Sequence, residues 1–147
     1  MNTEHKTIMA RALAEAEAAA ARGEVPVGAV VTGPDGTVLA AAGNRVEELN
    51  DPSAHAEILA IRAAAAKIGS PRLIDCDLHV TLEPCPMCAQ AISFARIRRL
   101  VFGAYDPKGG GVEHGPRIYS QPTCHHAPEV VGGVEESRAG DLLRSFF

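Results

Sequence analysis

The spacing of apolar positions changes along the chain between a period of 3.6 and a period of 2. Over residues 4–22 the apolar side chains fall at Ile8, Met9, Ala12, Leu13 and Ala16, one stripe of a helix, and Gly23 follows as a stop signal. Residues 25–31 and 37–43 are apolar runs of strand length on either side of Gly33-Pro34-Asp35-Gly36, which predicts a hairpin. A polar loop covers 44–50. Asp51-Pro52 pairs a capping residue with a proline at a first helical position, so a second helix is expected from there to Lys67 or Ile68, ended by Gly69.

Residues 76–82 alternate: Cys76, Leu78, Val80 and Leu82 on one side, Asp77, His79 and Thr81 on the other. Glu83-Pro84 closes that strand and opens a third helix over about 85–95. A fourth strand covers 99–104, and the Gly109-Gly110-Gly111 run begins an irregular segment that lasts to about 128. A short strand at 129–134 and a helix ending in Phe146-Phe147 complete the chain. Strand and helix alternate from residue 25 onward. The pattern predicts an α/β fold: one three-layer α/β/α domain over 1–147, with a mixed sheet of about five strands and helices on both faces.

Composition narrows the function classes. The 147 residues are 46% hydrophobic and 22% charged, a globular balance that argues against disorder. No stretch approaches the roughly 18 apolar residues of a membrane span. The first residues lack the basic start and uninterrupted apolar middle of a secretory signal, so a cytoplasmic setting and no membrane partner are expected. In that reducing setting Cys76, Cys85, Cys88 and Cys124 are expected to remain free of disulfides.

Aromatics are scarce at 4% and Trp is absent, which leaves few platforms for stacking a long single strand. The net charge of −4 is not that of an obvious nucleic-acid binder. Positive charge is concentrated in 96–126, where Arg96, Arg98, Arg99, Lys108 and Arg117 outnumber Asp106 and Glu113 beside His114, His125 and His126.

Two segments carry candidate chemistry: His55-Ala56-Glu57 and Pro84-Cys85-Pro86-Met87-Cys88. A Cys pair two residues apart, taken alone, fits a redox pair or half of a structural zinc site. A Cys₄ site is poorly supplied, because Cys76 and Cys124 stand isolated. His55, Cys85 and Cys88 together make three ligands, the number that a catalytic zinc takes while keeping one position for water. Two thiolates and a neutral imidazole also balance the charge of Zn²⁺. Both segments fall at predicted helix N-termini, where partial positive charge favours thiolates.

His55 and Glu57 point about 200° apart on a straight helix. They can share a site only beyond the helix end, toward which first-turn side chains lean. Glu57, beside the metal but not on it, suits a proton shuttle. A carboxylate favoured by the helix dipole is the plainer reading of that residue by itself.

At these residues the sequence resembles the zinc-dependent nucleoside and nucleobase deaminases, whose signature is His-x-Glu followed by Pro-Cys-x-x-Cys. Over about residues 5–147 it is similar to the branch of that superfamily that converts the wobble adenosine of tRNA to inosine. The matching stretches are 23–30, the Asn44 loop, 54–58, 78–89 and 101–109. The resemblance implies a cytidine deaminase-like fold and one Zn²⁺ per chain on His55, Cys85 and Cys88. It also implies proton transfer by Glu57, and hydrolytic removal of the amino group at C6 of adenine.

It further implies that Val27 is an apolar wall of the base pocket, Asn44 a base contact and Asp106 a loop residue near the substrate. The implied partners are a tRNA anticodon stem-loop and a second copy of the chain. The chain departs from the family in the segment from Glu113 to His126, and it ends at Phe147, where many relatives add a short basic tail. Two other functions fit the same residues: a deaminase of free guanine, cytosine or nucleosides, and a zinc-stabilised binding module without chemistry.

Overall fold

The computed structural model describes residues 3–147. Its element order is α1 (Thr3–Ala21), β1 (Gly28–Thr32), β2 (Val38–Gly43), α2 (Ala56–Ile68), β3 (Asp77–Leu82), α3 (Pro86–Phe94), β4 (Arg99–Ala104), a 3₁₀ turn at Ile118–Ser120, β5 (Glu129–Val131) and α4 (Glu136–Phe146). The five strands form one sheet in the order β2-β1-β3-β4-β5. β1 pairs antiparallel with β2 and with β3, while β3, β4 and β5 run parallel, so the sheet is mixed as expected.

Strand parity sorts the side chains into two cores. Ala29, Val31, Leu78, Val80, Leu100 and Phe102 face Ala60, Ala64, Ala89 and Ile92 of α2 and α3. Val30 and Val101 face Met9, Ala12 and Leu13 of α1 and Ala139 of α4. With both faces covered, even the polar side of β3 is buried: His79 is 2% exposed and Thr81 1%. Thr81 accepts the Gly28 N–H at 3.1 Å, and His79 lies 3.1 Å from His5 of α1.

The small residues of α1 and β1 let helix and sheet approach closely. A Cβ on Gly28 would stand 2.0 Å from the Ala12 carbonyl oxygen, so no other residue fits there without movement. No helix among the described residues is long and apolar enough to cross a membrane.

The second helix departs from expectation. It begins at Ala56 rather than at Asp51-Pro52, and His55 occupies its N-cap position with extended backbone (φ −74°, ψ 153°). The Asp51 carboxylate caps a local turn instead, accepting from the Ser53 N–H at 2.9 Å and the Ser53 hydroxyl at 2.7 Å. Its far end behaves as expected: Gly69 takes the left-handed conformation (φ 73°) and its N–H bonds Ala65. The strands begin or end up to three residues from the expected limits, the largest differences being at β1 and β5.

Candidate metal centre

The site lies at the carboxyl end of β3, where that strand gives way to α3 and where the N-terminus of α2 lies alongside. The N-cap residues of the two helices, His55 and Cys85, supply two of the donors. Cys88, one turn into α3, supplies a third. Nδ1 of His55 lies 3.6 Å from Sγ of Cys85 and 3.5 Å from Sγ of Cys88. These are the separations expected of two ligands on one tetrahedral zinc: bonds of about 2.3 Å to sulfur and 2.0–2.1 Å to nitrogen set N and S about 3.5 Å apart. The three residues are the one such group among the described residues whose donor atoms converge in this way.

Electrostatics agree with a cation at that point. The neighbouring Cys88 thiol and the His55 ring pull the Cys85 thiol down to about 4 against the effect of burial. The Cys88 thiol is pushed up, chiefly by its bond to Cys85 and by desolvation. A divalent ion held by the pair would displace the thiol protons. The donor set suits one zinc.

Glu57 completes the cluster in the first turn of α2, 4% exposed. Burial, and then the Cys85 charge, raises its carboxyl to about 7, although the His55 ring pulls the other way. The angular objection to His55 and Glu57 sharing a site disappears because His55 lies outside the helix.

A cavity of about 500 Å³ opens over these residues. His55, Glu57 and Cys85 lie in its floor, and Val27, Asn44 and Asp106 line it together with Glu24, Gly109 and Phe146. Asn44 is oriented by its neighbours: a backbone N–H can bond only the amide oxygen, and Oδ1 accepts from Ala56 at 2.7 Å. Oδ1 of Asp106 is turned back on its own loop, accepting from Gly109 at 2.9 Å and Lys108 at 3.3 Å.

Two buried carboxylates were not legible as site residues. Glu24 accepts the Glu47 and Glu48 N–H groups at 3.1 and 2.9 Å, fixing the loop after Asn44. Glu83, read only as the end of a strand, accepts five hydrogen bonds from the loop that carries Asp106. Burial alone would raise the Glu83 carboxyl; the Asp106 N–H, the His114 ring and the Glu113 and Val112 N–H groups outweigh it and hold it below the ordinary range. Glu24 stands in the stretch 23–30, and Glu83 immediately before Pro84-Cys85. Those positions were the available signals.

Two arginines of the positive segment lie away from the site. Arg98 grips Asp77 through Nε and Nη2 at 3.0 and 3.1 Å, and Arg99 reaches Asp77 and Glu129, all at the opposite end of β3 and β4. Cys124 and His126 form a structural pin: the Cys124 thiol donates to the His126 carbonyl at 3.2 Å, and the His126 ring meets the Ile97 carbonyl at 2.7 Å.

Residues 2–104 match the model of the cytidine and deoxycytidylate deaminase zinc-binding region. The chain is 59% identical over 144 residues to a tRNA-specific adenosine deaminase of Agrobacterium fabrum, covering 98% of this chain and 94% of that one. Its structure is similar to one solved in a study of A-to-I editing by tRNA:A34 deaminases at the wobble position, with TM-score 0.92 and 59% identity over 93% of this chain and 99% of the other. It is more distantly similar to a guanine deaminase from Nitrosomonas europaea, with TM-score 0.82 and 27% identity over 96% and 83% of the two chains. The chain belongs to the cytidine and deoxycytidylate deaminase zinc-binding family, in the branch of the tRNA-specific adenosine deaminases.

Proposed function

We propose that the chain hydrolyses the amino group from the wobble adenosine of a tRNA anticodon, giving inosine and ammonia. One observation carries the reading: a three-donor zinc set opens on a cavity beside a buried carboxylate that is not one of the donors, in a chain 59% identical to a tRNA-specific adenosine deaminase. Free-base deamination is the weaker reading: two guanine deaminases are similar to the chain at 27% identity over 96% of it and at 41% over 71%, against 59% over 93% for the structure from the tRNA:A34 deaminase study.

His55, Cys85 and Cys88 hold one zinc. When bound, zinc lowers the pKa of a water in its fourth position toward about 7. Glu57 would carry the first proton of the attacking water to N1 of the adenine ring as the C6–O bond forms. It would carry the second from the new C6 hydroxyl to the amine, so that the C6–N bond breaks, ammonia leaves and the carbonyl of inosine forms. A carboxyl that desolvation raises above the ordinary carboxylate range, next to the metal site, is suited to this double duty. Val27 forms an apolar wall against the base. Asn44, its oxygen bonded to Ala56, presents its NH₂ group to a ring acceptor, and the Asp106 loop closes the side of the cavity.

The chain works as a homodimer in the cytoplasm, where its substrate is. The exposed Met87 and Phe94, seven residues apart on one side of α3, supply apolar surface for a second copy.

Incubation of the purified protein with an anticodon stem-loop, followed by inosine detection, tests the reading. Conversion at the wobble position is expected. Turnover of a free base or nucleoside with an inert stem-loop overturns it.

A further inference from the structure

The loop from Tyr105 to His114 forms one side of the cavity but lacks regular secondary structure. Its shape rests on one buried group. Glu83, whose side chain is fully enclosed, takes the Asp106 N–H on Oε1 at 3.0 Å and the Val112, Glu113 and His114 N–H groups on Oε2 at 3.2, 2.9 and 3.1 Å. The His114 ring places Nδ1 2.8 Å from Oε1 and lies edge-on to the Tyr105 ring.

The glycine run explains how the loop comes so close. A Cβ on Gly110 would stand 2.4 Å from Oε2 of Glu83, and one on Gly111 would stand 2.6 Å from the Pro86 nitrogen. Gly111 also donates to the Pro84 carbonyl at 2.8 Å. The same loop backbone therefore touches the buried carboxylate and the turn that carries Cys85.

We infer that Glu83 and His114 are positioning residues for the deamination: they set the Asp106–Gly109 side of the cavity against the metal-binding turn. Glu83 collects the loop N–H groups at one point. His114 holds the carboxylate from the open side, since a ring N–H aimed at Oε1 fixes which oxygen serves Asp106 and which serves 112–114. Neither touches the base. Their effect is on how well the cavity grips its substrate, and the inference rests on the proposed activity toward a stem-loop.

The test uses His114, because removing the enclosed Glu83 leaves five donors unpaired and endangers folding. Kinetics on the stem-loop are measured for the wild type, His114→Ala and His114→Asn, with zinc content for each. Asn carries its NH₂ close to where the imidazole carries Nδ1–H. His114→Ala is expected to raise KM about tenfold, the scale of one lost bond to a charged group, with kcat within about twofold and zinc content unchanged. His114→Asn is expected to restore most of the KM.

Equal KM values in all three proteins overturn the inference while leaving the function intact. A loss confined to zinc content or to kcat also overturns it, because the loop then supports the metal rather than the grip. A wild type that leaves the stem-loop unchanged overturns the proposed function and this inference with it.

Discussion

The side-chain oxygen of Asn44 accepts the Ala56 N–H at 2.7 Å, so α2 is capped from outside by a residue twelve positions earlier. The residue in the N-cap position, His55, makes no capping bond and is free to turn its ring toward Cys85 and Cys88. One hydrogen bond thus ties a wall of the cavity to the orientation of the imidazole donor.

Asn44→Ala is expected to lower stability by about 1 kcal/mol, the usual cost of a lost cap, and to reduce zinc affinity and turnover together. Asn44→Asp keeps the acceptor and loses the NH₂ donor. It is expected to recover part of the stability and zinc affinity while turnover stays low. Urea titrations, zinc competition and stem-loop kinetics on both variants check this. Equal turnover in Asn44→Asp and the wild type would show that the amide makes no contact with the base.

Glu57→Gln separates proton transfer from metal binding. The variant keeps the shape of the side chain and removes its proton chemistry. Turnover is expected to fall by about 10²–10⁴-fold, the range for a lost general acid–base, with one zinc retained per chain. Loss of zinc in the variant would instead make Glu57 a ligand or a fold element.

Gly28→Ala probes the contact between α1 and the sheet. Its Cβ would meet the Ala12 oxygen at 2.0 Å and the Ala16 nitrogen at 2.7 Å, and neither backbone atom can swing away as a side chain can. Overpacking of this kind costs about 1–3 kcal/mol. A fall of that size in urea stability is expected, since α1 must lift from β1; an unchanged midpoint would contradict the packing described.

The elements were readable because their signals are local. Period-2 and period-3.6 runs lie within ten or twenty residues, and Gly69 stops α2 by a conformation of its own. The zinc donors were readable because His55, Cys85 and Cys88 form a motif in the linear sequence.

What was not readable depends on partners far along the chain. Asp51-Pro52 has the form of a helix start, yet Ser53 takes the Asp51 carboxylate and Asn44 caps α2 five residues later. Glu83 is one carboxylate in sequence and an organising centre in space, since its donors lie 23 to 31 residues downstream. The charge of 96–126 belonged to a segment, whereas the fold gives Arg98 and Arg99 to Asp77 and keeps them at the far end of the strands.

The pairing of His5 and His79 has a consequence for acid stability. At 3.1 Å, one ring nitrogen donates and the other accepts, so the two rings cannot both be protonated on both nitrogens. Nδ1 of His79 is buried without a partner. Burial, then the His5 ring facing it from α1 and Arg99 from β4, lowers His79 to about 4; Asp77 on its own strand opposes this. In the unfolded chain the same ring titrates near 6.5.

A folded value below the unfolded one means that the unfolded state binds more protons between those limits. Stability is therefore full above about 6.5 and declines as the pH falls toward 4. At pH 5 this ring alone costs about 2 kcal/mol relative to pH 7.5. His79→Leu removes the group, so the fall in urea stability from pH 7.5 to 5 is expected to be smaller in the variant by about that amount. Because loss of zinc in acid affects both proteins alike, the difference between them reports the His5–His79 pair, and equal slopes would refute the assignment.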